Sequence, residues 1–174
     1  MTKNTNERFT ISTEGMAELH KDRKPWALIK ELIANAWDED SADRCDVTIK
    51  AVKGGVLVRV EDNGDGFTDI NDAFTLLAPS KKRSQINKRG RFNVGEKEII
   101  SVAISAKVIT PGTTVTFPKA GGRRVDENKR KRGTIVEATM NWKANIIPDT
   151  VAMLARFIAP DGETYIINGD DFST

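Results

Sequence analysis

Cysteine occurs once in the 174 residues, as Cys45, and histidine once, as His20. A single cysteine closes no internal disulfide, so the chain does not fit the stapled secreted domains. The N-terminal MTKNTNERFT carries no apolar signal-type segment, and the expected setting is the reducing cytoplasm. No run approaches the roughly 18 apolar residues that span a bilayer, so no membrane contact is expected. Internal repeats are missing, which sets aside solenoids and propellers. No linker-like stretch divides the chain, so 1–174 is expected to be one domain. Excess charge is missing too: the net +2 is too small to imply a polyanionic partner by itself. The placement of the charges carries more information than their sum.

What is present is enough apolar residue, 39% of the chain, to build a substantial core. After a polar arm, TEGMAELHKD predicts a short helix and KPWALIKELIANAWDED a longer one, with Pro25 suited to its first turn. DVTIKAV and VLVRVED alternate apolar and polar residues around KGG, the pattern of a hairpin. DINDAFTLLA predicts a helix, PSKKRSQINKRGRFN a long loop, and EKEIISVAIS a helix beginning after Gly95. The second half predicts strands at AKVIT, TTVTF, GTIVEATM and ETYIING, a polar loop over PKAGGRRVDENKRKR, and a helix opening at Pro148. Such an order implies an α+β fold with helices on one face of a mixed, mostly antiparallel sheet. The pattern stops at INGDDFST just past a strand, and a longer parent protein is expected to continue from there.

Three stretches carry chemistry. In ELIANAWDED, at about 100° per residue, Glu31, Asn35 and Asp38 fall within roughly 60° of one another. Trp26, Ile29, Leu32, Ile33, Ala36 and Trp37 cover the opposite side, so one face suits a core and the other either solvent or a polar ligand. In VEDNGDGF, a strand ends in Asp62, followed by Gly64 and Gly66 at alternate positions. Glu61, Asn63, Asp65, Gly66 and Asp72 imitate the ligand spacing of a calcium loop, but Glu stands first, Asp last, and a strand precedes where a helix belongs. Alternating glycines after a carboxylate instead let a flat ligand lie on the backbone while the carboxylate accepts a hydrogen bond.

In KRGRFNVGEK, Gly90 and Gly95 flank Asn93 just before a helix. Backbone N–H groups there and the positive helix end make an anion site. Lys81, Lys82, Lys88, Arg89, Arg91 and Lys97 surround it, a placement that suggests phosphate.

ELIANAWD, DNGDG, GRFNVGEK and RGTIVEA, in that order from about Trp26 to Glu137, together resemble the four boxes of the GHKL ATPases. That superfamily comprises DNA gyrase, the heat-shock chaperone ATPase, histidine kinases and MutL. The resemblance implies a Bergerat-type two-layer α/β sandwich, with ATP held between sheet and helices under a mobile lid. It implies that Glu31 orients and activates the attacking water and that Asn35 coordinates magnesium. Asp38 matches the acidic position at the end of this box, with a role behind the metal or beside the ribose. Asp62 falls on the carboxylate that accepts from the adenine amine, with Gly64 and Gly66 shaping the wall, and Thr134 in the Gly-Thr box supports it. Gly90, Asn93 and Gly95 align with the glycine lid, although Asn93 stands where glycine is common. Lys97, with Lys81 or Lys82, matches phosphate-contacting positions.

The first box, with ELI before its Asn, looks nearer the chaperone, MutL and MORC branches than the kinases; a kinase would further need a phosphoacceptor helix, and His20 reads as a surface residue. The expected activity is therefore Mg-dependent ATP hydrolysis that drives ATP-gated homodimerisation or a conformational cycle. It is expected to be slow without a C-terminal transducer region or partner protein. A binding switch without turnover is the competing class, and a histidine-kinase-like phosphotransfer domain is another. The six basic residues of 123–132 offer a phosphate-backbone contact, or else a solvated loop, and the loop has no aromatic residue to stack on bases.

Overall fold

Helix α2, Pro25–Trp37, joins the two layers, and its sequence explains how. Leu28, Ile29, Leu32, Ile33, Ala36 and Trp37 are buried along one stripe at helical spacing, and each Leu or Ile among them contributes about 1.5–3 kcal/mol on full burial. Pro25 occupies the first turn, where its missing N–H costs nothing. The computed structural model describes residues 12–67 and 95–174. Before α2 lies α1, Thr13–His20, whose first turn is capped by Ser12 Oγ accepting from Gly15 N at 3.2 Å.

Strands β1, Arg44–Val52, and β2, Gly55–Asp62, form the expected hairpin, with Val52 opposite Gly55. Strict alternation turns Cys45, Val47 and Ile49 of β1 and Val56, Val58 and Val60 of β2 into the core. After α3, Gly95–Val102, come β3, Ser105–Thr110, β4, Thr113–Phe117, β5, Arg124–Glu127, and β6, Ile135–Met140. A single turn of 3₁₀ helix, Ala144–Ile146, leads into α4, Ile147–Leu154, and then β7, Thr164–Ile167, and β8, Asp170–Asp171. The eight strands make one sheet in the order β5-β4-β3-β6-β2-β1-β7-β8. Among the described strands the β1–β7 pair is parallel and the other pairs are antiparallel.

Helices α2, α3 and α4 contribute Ile33, Ile99 and Leu154 to the same buried cluster as Val47, Val58 and Tyr165. Trp37 packs edge-on against Tyr165 with centroids 5.2 Å apart. The other register of the sheet carries charge: Arg59 pairs with Glu61 at 2.7 Å and with Glu137 at 3.7 Å. This is the two-layer α+β architecture expected from the pattern, with helices on one face of a mixed sheet.

Two local expectations differ from what is observed. Residues 118–132 were expected to form a loop, but Arg124–Glu127 pair with β4 as an edge strand, with Thr113 opposite Glu127. All four residues are exposed, so no apolar alternation marked the strand, and charged residues suit a sheet edge. The helix at EKEIISVAIS stops at Val102, because Ile104 N is captured by Thr139 O at 2.7 Å and Ser105 starts β3 beside β6. The expected helix DINDAFTLLA lies outside the described residues. Among the described residues no helix is long and apolar enough to cross a membrane.

Candidate functional site

The polar stripe of α2 keeps its three residues on one side. Glu31 and Asn35 are half-buried, while Asp38, at the C-cap, is only 4% exposed. Its backbone N–H closes the helix on Ala34 O at 3.0 Å. One residue on, Glu39 brings the end of α2 against the loop that follows β2. Its Cγ stands 2.4 Å from where a Cβ on Gly64 would lie, so a larger residue there would have to push the Glu39 side chain aside. Ser41 completes the link, donating to Glu39 Oε1 at 2.9 Å and accepting from Asp65 N at 2.8 Å.

Asp62 is the hub of that loop. Its Oδ1 accepts from Gly64 N at 2.9 Å and from Thr134 N at 3.1 Å. Neither bond uses Oδ2, which leaves an acceptor for a ligand amine. Burial pushes the Asp62 carboxyl above its ordinary value, the two backbone donors pull it down, Glu39 adds to the rise, and Arg130 opposes it. Asp62 N also donates to Thr134 O at 3.0 Å, and Gly133 N to Gly64 O at 2.6 Å. The loop after β2 and the start of β6 are thereby locked as one piece of main chain.

Gly133 sits at φ +80°, and a Cβ there would lie 2.3 Å from Asp62 O. A Cβ on Gly66, at φ +86°, would lie 2.3 Å from the Thr110 hydroxyl and 2.5 Å from Pro111 Cδ. Thr110 Oγ1 accepts from Phe67 N at 3.1 Å and lies 3.4 Å from Thr134 Oγ1. The sequence reading missed Thr110, Glu39 and Ser41, which carry no motif and act by closing around glycines. It also missed Arg130, whose Nε donates to Gly133 O at 2.7 Å and whose Nη2 reaches Glu61 Oε1 at 2.6 Å. Glu61 is pushed up by burial, but Arg59 and Arg130 outweigh this and hold it below its ordinary value.

These bonds also bear on the basic stretch 123–132. Arg130 is clamped to Gly133 and Glu61, Arg132 donates to Ser41 O at 2.9 Å, and Arg124 pairs with Asp126 at 2.7 Å. Much of the stretch is therefore used by the fold itself. Asn63, a member of the apparent calcium spacing, instead accepts from Asp43 N at 3.0 Å and Arg44 N at 3.2 Å.

Helix α3 begins at Gly95. Lys97 is 8% exposed and lines a cavity of about 420 Å³ between α1, α3 and the β3–β4 hairpin, with Ser101, Ala106 and Phe117. Lys81, Lys82, Gly90 and Asn93 lie outside the described residues. His20, expected at the surface, is buried where α1 packs beside α3, and its Nδ1 finds no partner among the described residues. Glu31 is not isolated either: Arg23 Nη2 lies 3.9 Å from its Oε1. The structure thus joins Asp62, Gly64 and Thr134 directly, brings in Gly66 through Thr110, and reaches the end of α2 through Glu39.

A protein-family model described as "Histidine kinase-, DNA gyrase B-, and HSP90-like ATPase" matches residues 21–143. No curated protein matches the chain significantly. Among solved structures, the ATPase region of Saccharomyces cerevisiae topoisomerase II matches with a TM-score of 0.64 and 15% identity, over 84% of this chain and 48% of that one. The same region bound to ICRF-187 (dexrazoxane) matches with the same figures. The chain therefore spans about half the length of these structures, and the likeness is one of fold.

Proposed function

Because the chain belongs to the histidine kinase-, DNA gyrase B- and HSP90-like ATPase family, we propose that it binds ATP with magnesium and hydrolyses it beside α2. The family is one of ATP-binding ATPase domains, and what is proposed is the role of each residue here. The observation that carries the reading is Asp62: a half-buried carboxylate held on one oxygen by two main-chain donors, with the other oxygen unused by either. Such a group is built to accept from an amine, and adenine offers one where guanine carries a carbonyl. Gly64 and Gly66 keep the wall flat, and Thr134 supports the carboxylate through its N–H and the ligand through its hydroxyl.

On α2, Glu31 serves as the base that orients water, and Asn35 holds magnesium through its amide oxygen, with Asp38 behind. Among the described residues no group of three His, Cys, Asp or Glu side chains gathers around a candidate metal position. A single protein oxygen fits an ion that keeps waters and takes its other ligands from phosphate. When bound, magnesium supplies neutralisation of the phosphate charge. The N-terminus of α3 from Gly95, with Lys97 and the glycine box containing Gly90 and Asn93, is the anion-binding end, joined by Lys81 or Lys82.

The wider reading is a single domain at the N-terminal part of a longer cytoplasmic protein, nearer the chaperone, MutL and MORC branches than the kinases. ATP gates its dimerisation, and a transducer region or partner completes the site. Titration of the chain with ATP and magnesium, beside GTP and the Asp62→Asn variant, tests the pocket. The expected result is ATP binding that GTP does not share and the variant loses; equal binding of GTP would overturn the Asp62 assignment. In Glu31→Ala, turnover should fall by about 10²–10⁴ with ATP binding kept. Surviving turnover would remove Glu31 from its role.

A further inference from the structure

Three helices meet at Arg23. The residue lies in the turn between α1 and α2, fixed by the bond from Arg23 N to His20 O at 3.1 Å. Its guanidinium reaches two ways: Nη1 pairs with Glu98 Oε2 on α3, and Nη2 stands 3.9 Å from Glu31 Oε1 on α2. The side chains form a gradient from inside to outside, with Glu98 13% exposed, Arg23 33% and Glu31 36%. The anchored end is thus inside the helical layer and the other end faces water. Behind it, His20 Nε2 lies 4.0 Å from Glu98 Oε1. Burial, and then Arg23, push His20 below its ordinary 6.5, so it is neutral at pH 7. One guanidinium therefore serves two carboxylates.

A separation of 3.9 Å is too long for a hydrogen bond. The pair restrains Glu31 by charge and leaves its lone pairs to water. A glutamate on a helix surface has several rotamers of similar energy, and a base that must aim a water needs one of them. The planar fork of arginine holds two carboxylates at once, which an ammonium point charge does less well. We infer that Arg23 is the positioning residue for Glu31, aiming that carboxylate from a guanidinium anchored on Glu98 and so tying it to helix α3. Helix α3 starts at Gly95, directly after the glycine-rich box, so a displacement of its first turns reaches Glu31 through Glu98 and one side chain.

The inference rests on the reading of Glu31 as the water-orienting group, and the two can fail separately. Four variants of the full chain are compared: Glu31→Ala, Arg23→Ala, Arg23→Lys and Glu98→Gln. The expected result for Arg23→Ala is a fall in kcat of about 10- to 100-fold with KM for ATP within about twofold, because binding is kept while the base loses its aim. Arg23→Lys should recover part of the loss, and Glu98→Gln should lower kcat in the same direction by less. A merely structural role would move KM and thermal stability together with kcat, and that outcome overturns the inference. If Glu31→Ala keeps its turnover, the base assignment fails. If Glu31→Ala loses turnover while Arg23→Ala does not, the base stands and the positioning role falls. A readout independent of turnover is the carbon resonance of the Glu31 side-chain carboxylate. It should shift in both Arg23→Ala and Glu98→Gln, and an unmoved resonance in Glu98→Gln removes the link to α3.

Discussion

Around Asp62 the bonds that hold the site run through the main chain, whereas around Glu31 they run between long side chains. Gly64 N, Thr134 N, Asp62 N and Gly133 N all donate within the first region, at 2.6 to 3.1 Å. In the second, Arg23 bridges Glu98 and Glu31 across three helices. Main-chain bonds fix a surface once the strands pair, since moving it means breaking the sheet. Side-chain ion pairs at partly exposed positions contribute little stability, about 0–1 kcal/mol, and rearrange readily. The proposed recognition of a flat base calls for the first kind of construction. A step that must respond to what is bound calls for the second.

The largest expected effect is at Gly133. Replacing it by Val sets a β-branched residue at φ +80° and drives its Cβ into Asp62 O, 2.3 Å away. Strain and overpacking together should cost about 3 kcal/mol. Chemical denaturation would read this as a lower midpoint, and ATP affinity should fall with it. An unchanged midpoint would mean that the junction of β2 and β6 yields more easily than the main-chain bonds imply.

Arg130→Ala should follow, with a loss of about 1–2 kcal/mol, because the carbonyl of Gly133 and the carboxylate of Glu61 each lose a donor. The comparison sharpens against Arg23→Ala, which should leave the unfolding free energy within about 1 kcal/mol of the parent and act on turnover instead. Equal destabilisation by the two variants would erase the distinction between the regions. Smaller again is Thr134→Val. It keeps the N–H to Asp62 and removes only the hydroxyl, so ATP affinity should fall by about fivefold with stability nearly unchanged.

How much of this was legible beforehand follows from the same contrast. The core stripe of α2 and the alternation of β1 and β2 are periodic, so Ile29, Ile33, Val47 and Val58 were readable as buried. That Asp62, Gly64 and Gly66 form one loop at the end of a strand was readable from a carboxylate followed by glycines at alternate positions. Arg130, by contrast, sits in a run of basic residues and nothing local separates it from Lys129 or Lys131. Its role depends on β6 bringing Gly133 back beside β2, a long-range pairing. The strand at Arg124–Glu127 was hidden because both of its faces are exposed. His20 looked like a surface residue because its burial comes from packing beside α3, and nothing local marked Arg23, whose partner Glu98 lies 75 residues further along.

The smallest effect is also the one that isolates Asp62. Burial holds its carboxyl above the ordinary 3.8, so as pH falls it takes up a proton earlier in the folded chain than in the unfolded one. In the window between 3.8 and its folded pKa the native state binds more protons, and falling pH therefore removes the destabilising contribution of this buried charge. Ligand binding moves the other way, because a protonated carboxyl accepts less well from an amine; ATP affinity should be level at neutral pH and decline as pH drops through the raised value. Glu61 opposes the stability trend. Held below its ordinary 4.5 by Arg59 and Arg130, it contributes stability that is present above 4.5 and lost as pH falls through its folded pKa. A single melting curve mixes the two. The difference in Tm between the parent chain and Asp62→Asn separates them, since the amide still accepts from Gly64 N and Thr134 N but carries no charge. Asp62→Asn should be the more stable at pH 7, and its advantage should shrink as pH approaches 3.8. An advantage that stays constant would mean that Asp62 is not a buried charge, and the main-chain wall would lose the feature that fits it to an amine.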